Sequence, residues 1–194
     1  VERLKKQGRK PYVIPRGGRS LQGTSSYAVA TLELYSQLME RGLTADYIVL
    51  PAATCSTMTG ILLGTKILSL NTNIIGICVS RSAPEGKAML TEEFSRDSVT
   101  LGYDFAIKPE DICITDGYLG EGYGIPTKDT HDAIKLFAEK EAVFLDPVYT
   151  GKAMGGLLDL IRKGYFKKSD NIVFFHTGGS PVVFTKIMAE LMVE

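Results

Sequence analysis

Short apolar runs and longer amphipathic stretches alternate along the 194 residues of the chain. The short runs are rich in Val, Ile, Phe and Tyr, which is typical of strands buried on both faces of a parallel sheet. They predict six strands, at residues 11–15, 46–52, 73–80, 111–115, 142–147 and 171–177. The longer stretches carry the helical period and predict six helices, at residues 25–41, 57–68, 85–101, 130–140, 153–163 and 181–192. Gly42 and Gly164 follow two of these helices as expected stops.

This alternation predicts an α/β fold of three layers, with a mostly parallel, twisted sheet and helices on both of its faces. No repeat or linker interrupts the pattern, so residues 1–194 are expected to form a single domain. The first ten residues carry five basic side chains and are expected to be the exposed end of an incoming helix.

Composition narrows the range of partners. Lys plus Arg number 22 and Asp plus Glu also number 22, so neither nucleic acid nor an anionic membrane is an expected partner. The longest apolar runs are too short to cross a bilayer. The odd number of cysteines, and the apolar runs around Cys78 and Cys113, indicate buried reduced thiols of a cytoplasmic protein. With two histidines and no metal-binding motif, no metal site is expected.

Small and hydroxylated residues follow five of the predicted strands, in segments 16–27, 52–60, 116–127, 148–152 and 176–180. The carboxyl ends of parallel strands share one edge of a sheet, where ligands bind. Segment 52–60 leads directly into a predicted helix, and this arrangement favours phosphate through free N–H groups, hydroxyls and the helix dipole. Ordinary capping of the helix by Ser or Thr explains the same residues.

The segment 116–127 is rich in glycine, but it does not match a dinucleotide fingerprint. Gly120 and Gly122 supply G-x-G, whereas Ile125 occupies the position of the third glycine. A flexible active-site loop is therefore the better interpretation. Tyr123 in this segment and Tyr149 in the next are candidates for catalysis, and half-buried packing is the alternative for each. His176, at the end of a predicted strand, is interpreted as a core histidine.

Five segments, in this order, resemble the D-cysteine desulfhydrase and 1-aminocyclopropane-1-carboxylate deaminase family. They read KPYVIPRGGRSLQGTSSYAVATLEL, DYIVLPAATCSTMTGILLG, YGIPTKDTHDAI, LDPVYTGKAMGGLLDLI and VFFHTGGSPVVF. The family consists of pyridoxal-phosphate enzymes of the tryptophan-synthase β-like fold (fold type II). The resemblance therefore implies an incomplete large domain of this fold, pyridoxal 5'-phosphate as the cofactor, a small amino-acid substrate and a homodimer.

The resemblance also assigns roles to individual residues. It implies that the cofactor is bound by Ala53, Thr54, Cys55, Ser56, Thr57, Thr150 and Thr177, the first five forming the phosphate loop. Tyr123 and Tyr149 would hold the substrate carboxylate or assist proton transfer. The loop of desulfhydrase-type members has glycines where Ala53, Cys55 and Ser56 stand, whereas the deaminase-type loop T-G-S-T differs here only at Cys55. Any position of this loop that requires a positive φ is therefore expected to be strained. Lys152 is expected to be structural or to face solvent.

Thr150 and Thr177 separate the two activities of the family. Deaminase-type members carry glutamate and leucine at these positions, whereas desulfhydrase-type members carry the two threonines found here. A carboxylate keeps the pyridine nitrogen of the cofactor protonated and makes the ring a strong electron sink, which favours opening of a cyclopropane. Elimination of sulfide requires a weaker electron sink, because sulfide is a good leaving group. The expected reaction is therefore elimination from D-cysteine, with a deaminase, another amino-acid lyase or a racemase as alternatives.

The family's cofactor-binding lysine lies in an upstream segment that these 194 residues do not contain, and so do the serine and asparagine that bind the substrate carboxylate. The chain also begins with Val1. We therefore expect a piece of a longer enzyme that does not bond covalently to the cofactor by itself. One alternative is a non-catalytic binding module that keeps the fold. Another is a nucleotide-binding domain, which the missing third glycine of the dinucleotide fingerprint argues against.

Overall fold

The computed structural model describes residues 1–191 and contains one sheet of four parallel strands in the order β3-β2-β1-β4. The strands are β1 (Tyr47–Ala52), β2 (Asn73–Cys78), β3 (Cys113–Thr115) and β4 (Ile172–Phe174). The helices are α1 (Glu2–Lys6), α2 (Leu21–Glu40), α3 (Ser56–Ile67), α4 (Ala83–Thr100), α5 (Lys128–Glu141), α6 (Thr150–Arg162) and α7 (Lys186–Leu191).

Side chains of the sheet alternate between two apolar clusters, one on each face. Ile48 and Leu50 of β1 pack with α2, α3 and α4 on the first face. Val49, between them, packs with Ile75 of β2 and with the buried residues of α5 and α6 on the second face. This alternation follows from the two-residue period of a strand. The three-layer α/β fold predicted from the sequence is thereby confirmed.

Two predicted strands are not present in the structure. Residues 11–15 form no strand, and Tyr12 and Ile14 are largely exposed. Residues 142–147 also form no strand, although Leu145 is fully buried while Phe144 is exposed. A strand requires a neighbour with which its N–H and C=O groups pair, and neither segment has one in the described part of the chain. Apolar composition alone therefore led to two wrong predictions.

The helix predicted at residues 181–192 is divided in the structure. A 3-10 helix spans Ser180–Phe184, Thr185 is extended, and α7 follows. Met192 lies outside the described residues. The other helices match the prediction within a few residues, and both Gly42 and Gly164 have the positive φ of a helix stop. The basic N-terminal segment contains α1, which buries none of its residues.

The cysteines are only partly as predicted. Cys55 and Cys78 are buried, whereas Cys113, the first residue of β3, is exposed. Since β3 lies at the edge of the sheet, an apolar sequence context there does not guarantee burial. The prediction that Cys113 is buried was therefore wrong.

Candidate active site

A cavity of about 740 Å³ opens at the carboxyl ends of the strands. Its size lies in the range of small-molecule sites. Seven of the nine residues predicted for the site line it, namely Ala53, Thr54, Cys55, Thr57, Tyr123, Tyr149 and Thr177. Residues far apart in sequence meet here because the strands are parallel and end at the same edge. Ser56 and Thr150 do not line the cavity.

The loop before α3 combines strain with unpaired donors. Cys55 has φ 68° and ψ −10°, a left-handed conformation that costs a residue other than glycine about 1–2 kcal/mol. Its buried side chain belongs to the apolar cluster of the first face, and burial raises the pKa of the thiol to about 11. The first turn of α3 leaves backbone N–H groups without partners in the helix, and the hydroxyls of Thr54 and Thr57 line the cavity beside them. This arrangement is suited to an anion.

The hydroxyl of Ser56 is directed away from the cavity. It donates a hydrogen bond of 2.6 Å to Oε1 of Glu93, a fully buried residue of α4. Arg19 donates through Nε to the other oxygen, Oε2, at 2.8 Å. Ser56 can therefore offer only its backbone N–H to a ligand. The sequence analysis missed Glu93, which lies in the middle of a helix and far from any predicted loop.

Tyr123 and Tyr149 face each other across the rim of the cavity. Their hydroxyls are hydrogen-bonded to each other, and their rings meet edge to face with centroids 6.0 Å apart. The hydrogen bond to Tyr123, followed by burial, raises the pKa of Tyr149 to about 12. At neutral pH Tyr149 therefore remains a phenol, which donates a proton rather than accepting one.

Asp146 fixes the backbone on which Tyr149 stands. Its Oδ1 accepts hydrogen bonds from the N–H groups of Val148 and Tyr149 at 2.8 and 2.7 Å. Its Oδ2 accepts from the N–H and the hydroxyl of Thr150 at 2.9 and 2.7 Å. The sequence analysis did not select Asp146, although an Asp-Pro pair shortly before a helix is a recognisable capping signal.

Thr150 is fully buried, and its hydroxyl is hydrogen-bonded to Asp146. Besides donating to the carboxylate, the hydroxyl accepts a hydrogen bond of 2.9 Å from the N–H of Asp146. The predicted contact between Thr150 and the ring nitrogen of the cofactor stays a prediction.

Lys152 is buried and holds the segment that carries Tyr123. Its Nζ donates hydrogen bonds to the carbonyls of Leu119 and Gly122, at 2.6 and 2.7 Å. Burial lowers the pKa of this amine. Of the two roles expected from the sequence, the structural one fits these contacts. Lys152 thus ties the segment 116–127 to α6.

We expect Lys152→Met to lower the free energy of unfolding by about 2 kcal/mol, because two backbone carbonyls lose charge-assisted hydrogen bonds. Urea denaturation of the protein expressed from its complete reading frame measures this change. The control is Lys163→Met, which removes an exposed lysine paired with Asp159 and should change stability by less than about 0.5 kcal/mol. Equal effects of the two substitutions would contradict the role of Lys152.

Two arginines that the sequence analysis did not select also line the cavity, Arg16 and Arg81. Nε of Arg81 is buried without a hydrogen-bond partner among residues 1–191. Arg81 follows β2, and none of the five predicted loop segments lies at the carboxyl end of that strand. Including the residues after β2 among these segments would have identified Arg81. His176 is exposed rather than in the core, and its Nε2 lies 3.2 Å from the carbonyl oxygen of Phe144.

A family model described as "Pyridoxal-phosphate dependent enzyme" matches residues 1–178. The chain belongs to this family. The cofactor of this family is pyridoxal phosphate, and the residues that line the cavity are suited to binding it. The open turn at the start of α3, the hydroxyls of Thr54 and Thr57 and the cations Arg16 and Arg81 suit a phosphate group.

Curated relatives narrow the resemblance. The chain is 39% identical over 183 residues to the D-cysteine desulfhydrase of Salmonella paratyphi C (strain RKS4594), covering 94% of the chain and 54% of the relative. It is 37% identical over 182 residues to that of Klebsiella pneumoniae subsp. pneumoniae, with the same coverage of each. The chain thus spans about half the length of the curated relatives it matches.

Solved structures agree with the fold. The crystal structure of an "ACC deaminase homologue" superposes with a TM-score of 0.86 at 35% identity, covering 99% of this chain and 56% of that one. Threonine deaminase isoform 2 from Solanum lycopersicum superposes with a TM-score of 0.59 at 15% identity, covering 99% and 54%, and shows the fold alone. Both the family and the fold implied by the sequence resemblance are confirmed.

Within the described part of the chain, no helix has the length and apolar character needed to cross a membrane. The same residues contain no group of three or more His, Cys, Asp or Glu side chains placed to hold a metal ion.

Proposed function

We propose that this chain is the cofactor-binding part of an enzyme that converts D-cysteine and water into pyruvate, ammonia and hydrogen sulfide. One observation carries the proposal: a single cavity joins the phosphate-type turn at the start of α3 to the hydroxyl pair of Tyr123 and Tyr149. The identity of 37–39% to D-cysteine desulfhydrases supports this choice of substrate.

The turn at Cys55 would bind the phosphate of the cofactor through the first backbone N–H groups of α3. The hydroxyls of Thr54 and Thr57 add two further donors, and Arg81 adds positive charge at the same wall. When bound, pyridoxal phosphate supplies the electron sink that allows the Cα–H bond of an amino acid to break. The chain itself anchors and orients the cofactor at the strand ends.

The tyrosine pair acts on the other side of the cavity. With the Cα proton removed, the Cα–Cβ double bond forms as the Cβ–S bond breaks, and sulfur leaves with the electron pair of that bond. Tyr149 is protonated at neutral pH and donates the proton that sulfur needs, while Tyr123 hydrogen-bonds Tyr149 and orients its hydroxyl. The enamine product then takes up a proton at Cβ, and water replaces its nitrogen with oxygen, so that pyruvate and ammonia are released. The resemblance places the lysine that takes the Cα proton upstream of this chain.

Deamination of 1-aminocyclopropane-1-carboxylate is the second candidate. The solved ACC deaminase homologue, at 35% identity, favours it. The threonines at positions 150 and 177 argue against it, because neither supplies the carboxylate that the resemblance assigns to deaminase-type members.

We also propose that the enzyme is a homodimer, as the resemblance implies, and that it is cytoplasmic. The three free cysteines are compatible with a reducing compartment. Light scattering of the purified protein measures the oligomeric state directly.

The test of the activity is a substrate comparison on the protein expressed from its complete reading frame and supplied with pyridoxal phosphate. We expect kcat/KM for pyruvate release from D-cysteine to exceed the values for L-cysteine and for 1-aminocyclopropane-1-carboxylate by about tenfold or more, or about 1.4 kcal/mol. Sulfide is measured in parallel and should match pyruvate. Faster ring opening than sulfide release would assign the enzyme to the deaminases instead.

A further inference from the structure

A buried carboxylate lies directly behind the wall of the cavity formed by the loop before α3. Glu93 has no exposed surface, and its two oxygens accept hydrogen bonds from residues that adjoin two different segments of the cavity lining. Oε1 accepts from Ser56, the first residue of α3, at 2.6 Å. Oε2 accepts from Nε of Arg19, at 2.8 Å. Arg19 directly follows the 3-10 helix Arg16–Gly18, which contributes Arg16 and Gly17 to the cavity.

The two segments approach each other closely at Gly17 and Thr54. Gly17 has φ 67°, and a Cβ added to it would lie 2.7 Å from Cγ2 of Thr54. The contact leaves no space for a side chain, so small changes in the separation of the walls alter the space around Thr54. One carboxylate thus links the segment at Arg19 to the segment at Ser56 through hydrogen bonds.

Burial of a carboxylate is costly unless its oxygens are fully paired. Glu93 meets this condition with the hydroxyl of Ser56 and the guanidinium of Arg19, both at short distances, and with a longer hydrogen bond of 3.4 Å from the hydroxyl of Thr24. The hydroxyl proton of Ser56 is thereby committed to Glu93 and does not reach the cavity. Ser56 therefore contributes to an anion site through its backbone and its position.

We propose that Glu93 is a positioning residue for the cofactor phosphate. It holds Ser56 and Arg19 so that the N–H groups of the first turn of α3 and the hydroxyl of Thr54 converge on one anion. The inference rests on the proposed function, since it takes the phosphate of pyridoxal phosphate as the ligand. It predicts that loss of the Glu93 charge weakens binding of phosphorylated ligands more than it weakens binding of their unphosphorylated counterparts.

The chain supplies a matched control on the same helix. Asp97 lies one turn after Glu93, is equally buried, and accepts hydrogen bonds from Thr24 at 2.6 Å and from Arg96 at 2.8 Å. The hydroxyl of Thr24 also lies 3.4 Å from Oε1 of Glu93, but among residues 1–191 no hydrogen bond joins Asp97 to Ser56 or Arg19. Asp97→Asn therefore disturbs a buried carboxylate of the same cluster without releasing either wall of the cavity.

The experiment compares Glu93→Gln, Asp97→Asn and Ser56→Ala in the protein expressed from its complete reading frame. Dissociation constants for pyridoxal phosphate and for pyridoxal are measured by absorbance titration, and the melting temperature is measured for each variant. We expect Glu93→Gln and Ser56→Ala to weaken pyridoxal phosphate binding about tenfold and pyridoxal binding less than about threefold. Asp97→Asn should lower the melting temperature as Glu93→Gln does, while changing either dissociation constant less than about threefold.

The double variant Glu93→Gln/Ser56→Ala should bind no more weakly than either single variant, because both remove the same link. Additive losses would show that the Ser56 hydroxyl binds the phosphate directly and would overturn the inference. Unchanged affinity in Glu93→Gln, or equal losses for both ligands, would also overturn it. If Glu93→Gln fails to fold, unchanged affinity of Ser56→Ala for pyridoxal phosphate would overturn the inference. Failure of the unmodified protein to bind pyridoxal phosphate would instead refute the proposed function.

Discussion

Replacing Tyr149 with phenylalanine should lower kcat/KM for D-cysteine by about 100-fold or more, because a positioned proton donor contributes about 10²–10⁴ to a rate. The phenol is protonated at neutral pH, since its hydrogen bond to Tyr123 and its burial raise its pKa to about 12. The ring remains, so the packing at the rim of the cavity is preserved. Steady-state release of pyruvate is the measurement. Tyr123→Phe should have a loss of similar size, and the double variant should lose little more, because the two hydroxyls act as a unit.

The control for this prediction is Tyr118→Phe. Tyr118 lies in the same segment as Tyr123, and its hydroxyl donates to Asp159 at 2.8 Å rather than lining the cavity. We expect kcat/KM to change by less than about threefold in this variant. Should Tyr149→Phe keep more than about a third of the activity, proton donation by Tyr149 would have to be abandoned.

The second large effect is expected from Thr150→Glu, which should lower the free energy of unfolding by about 3 kcal/mol or more. Thr150 has no exposed surface, and its hydroxyl exchanges hydrogen bonds with Asp146, which is also buried. The substitution removes both bonds and places a second carboxylate beside the first in a buried region. Chemical denaturation followed by circular dichroism measures the change.

Thr150→Ser keeps the hydroxyl and is the matched control, with an expected loss below about 1 kcal/mol. A stable Thr150→Glu protein would mean that the new side chain projects into the cavity. That outcome would support the position implied by the resemblance, in which residue 150 faces the ring nitrogen of the cofactor.

The sequence predicted the sheet and much of the cavity because both depend on local pattern. Buried strands are continuous apolar runs, and parallel strands bring Thr54, Tyr149 and Thr177 to one edge whatever the details of packing. The failures depend on partners distant in sequence. Residues 11–15 and 142–147 have the composition of strands, but nothing in a sequence reveals that a neighbour for pairing is missing.

The direction of a side chain was equally beyond the reach of the sequence. Ser56 and Thr57 are adjacent hydroxyl residues of one predicted loop, yet only Thr57 lines the cavity. The difference arises from Glu93, which lies 37 positions after Ser56 and accepts a hydrogen bond from its hydroxyl. Similarly, the buried Lys152 is paired with the carbonyls of Leu119 and Gly122, and no sequence motif predicts these contacts.

The bond between Lys152 and the segment 116–127 has a consequence for motion. Tyr149 precedes α6, Tyr123 lies in the segment, and the ammonium group fastens one to the other. The two tyrosines therefore belong to one cooperative unit and do not open as a separate lid.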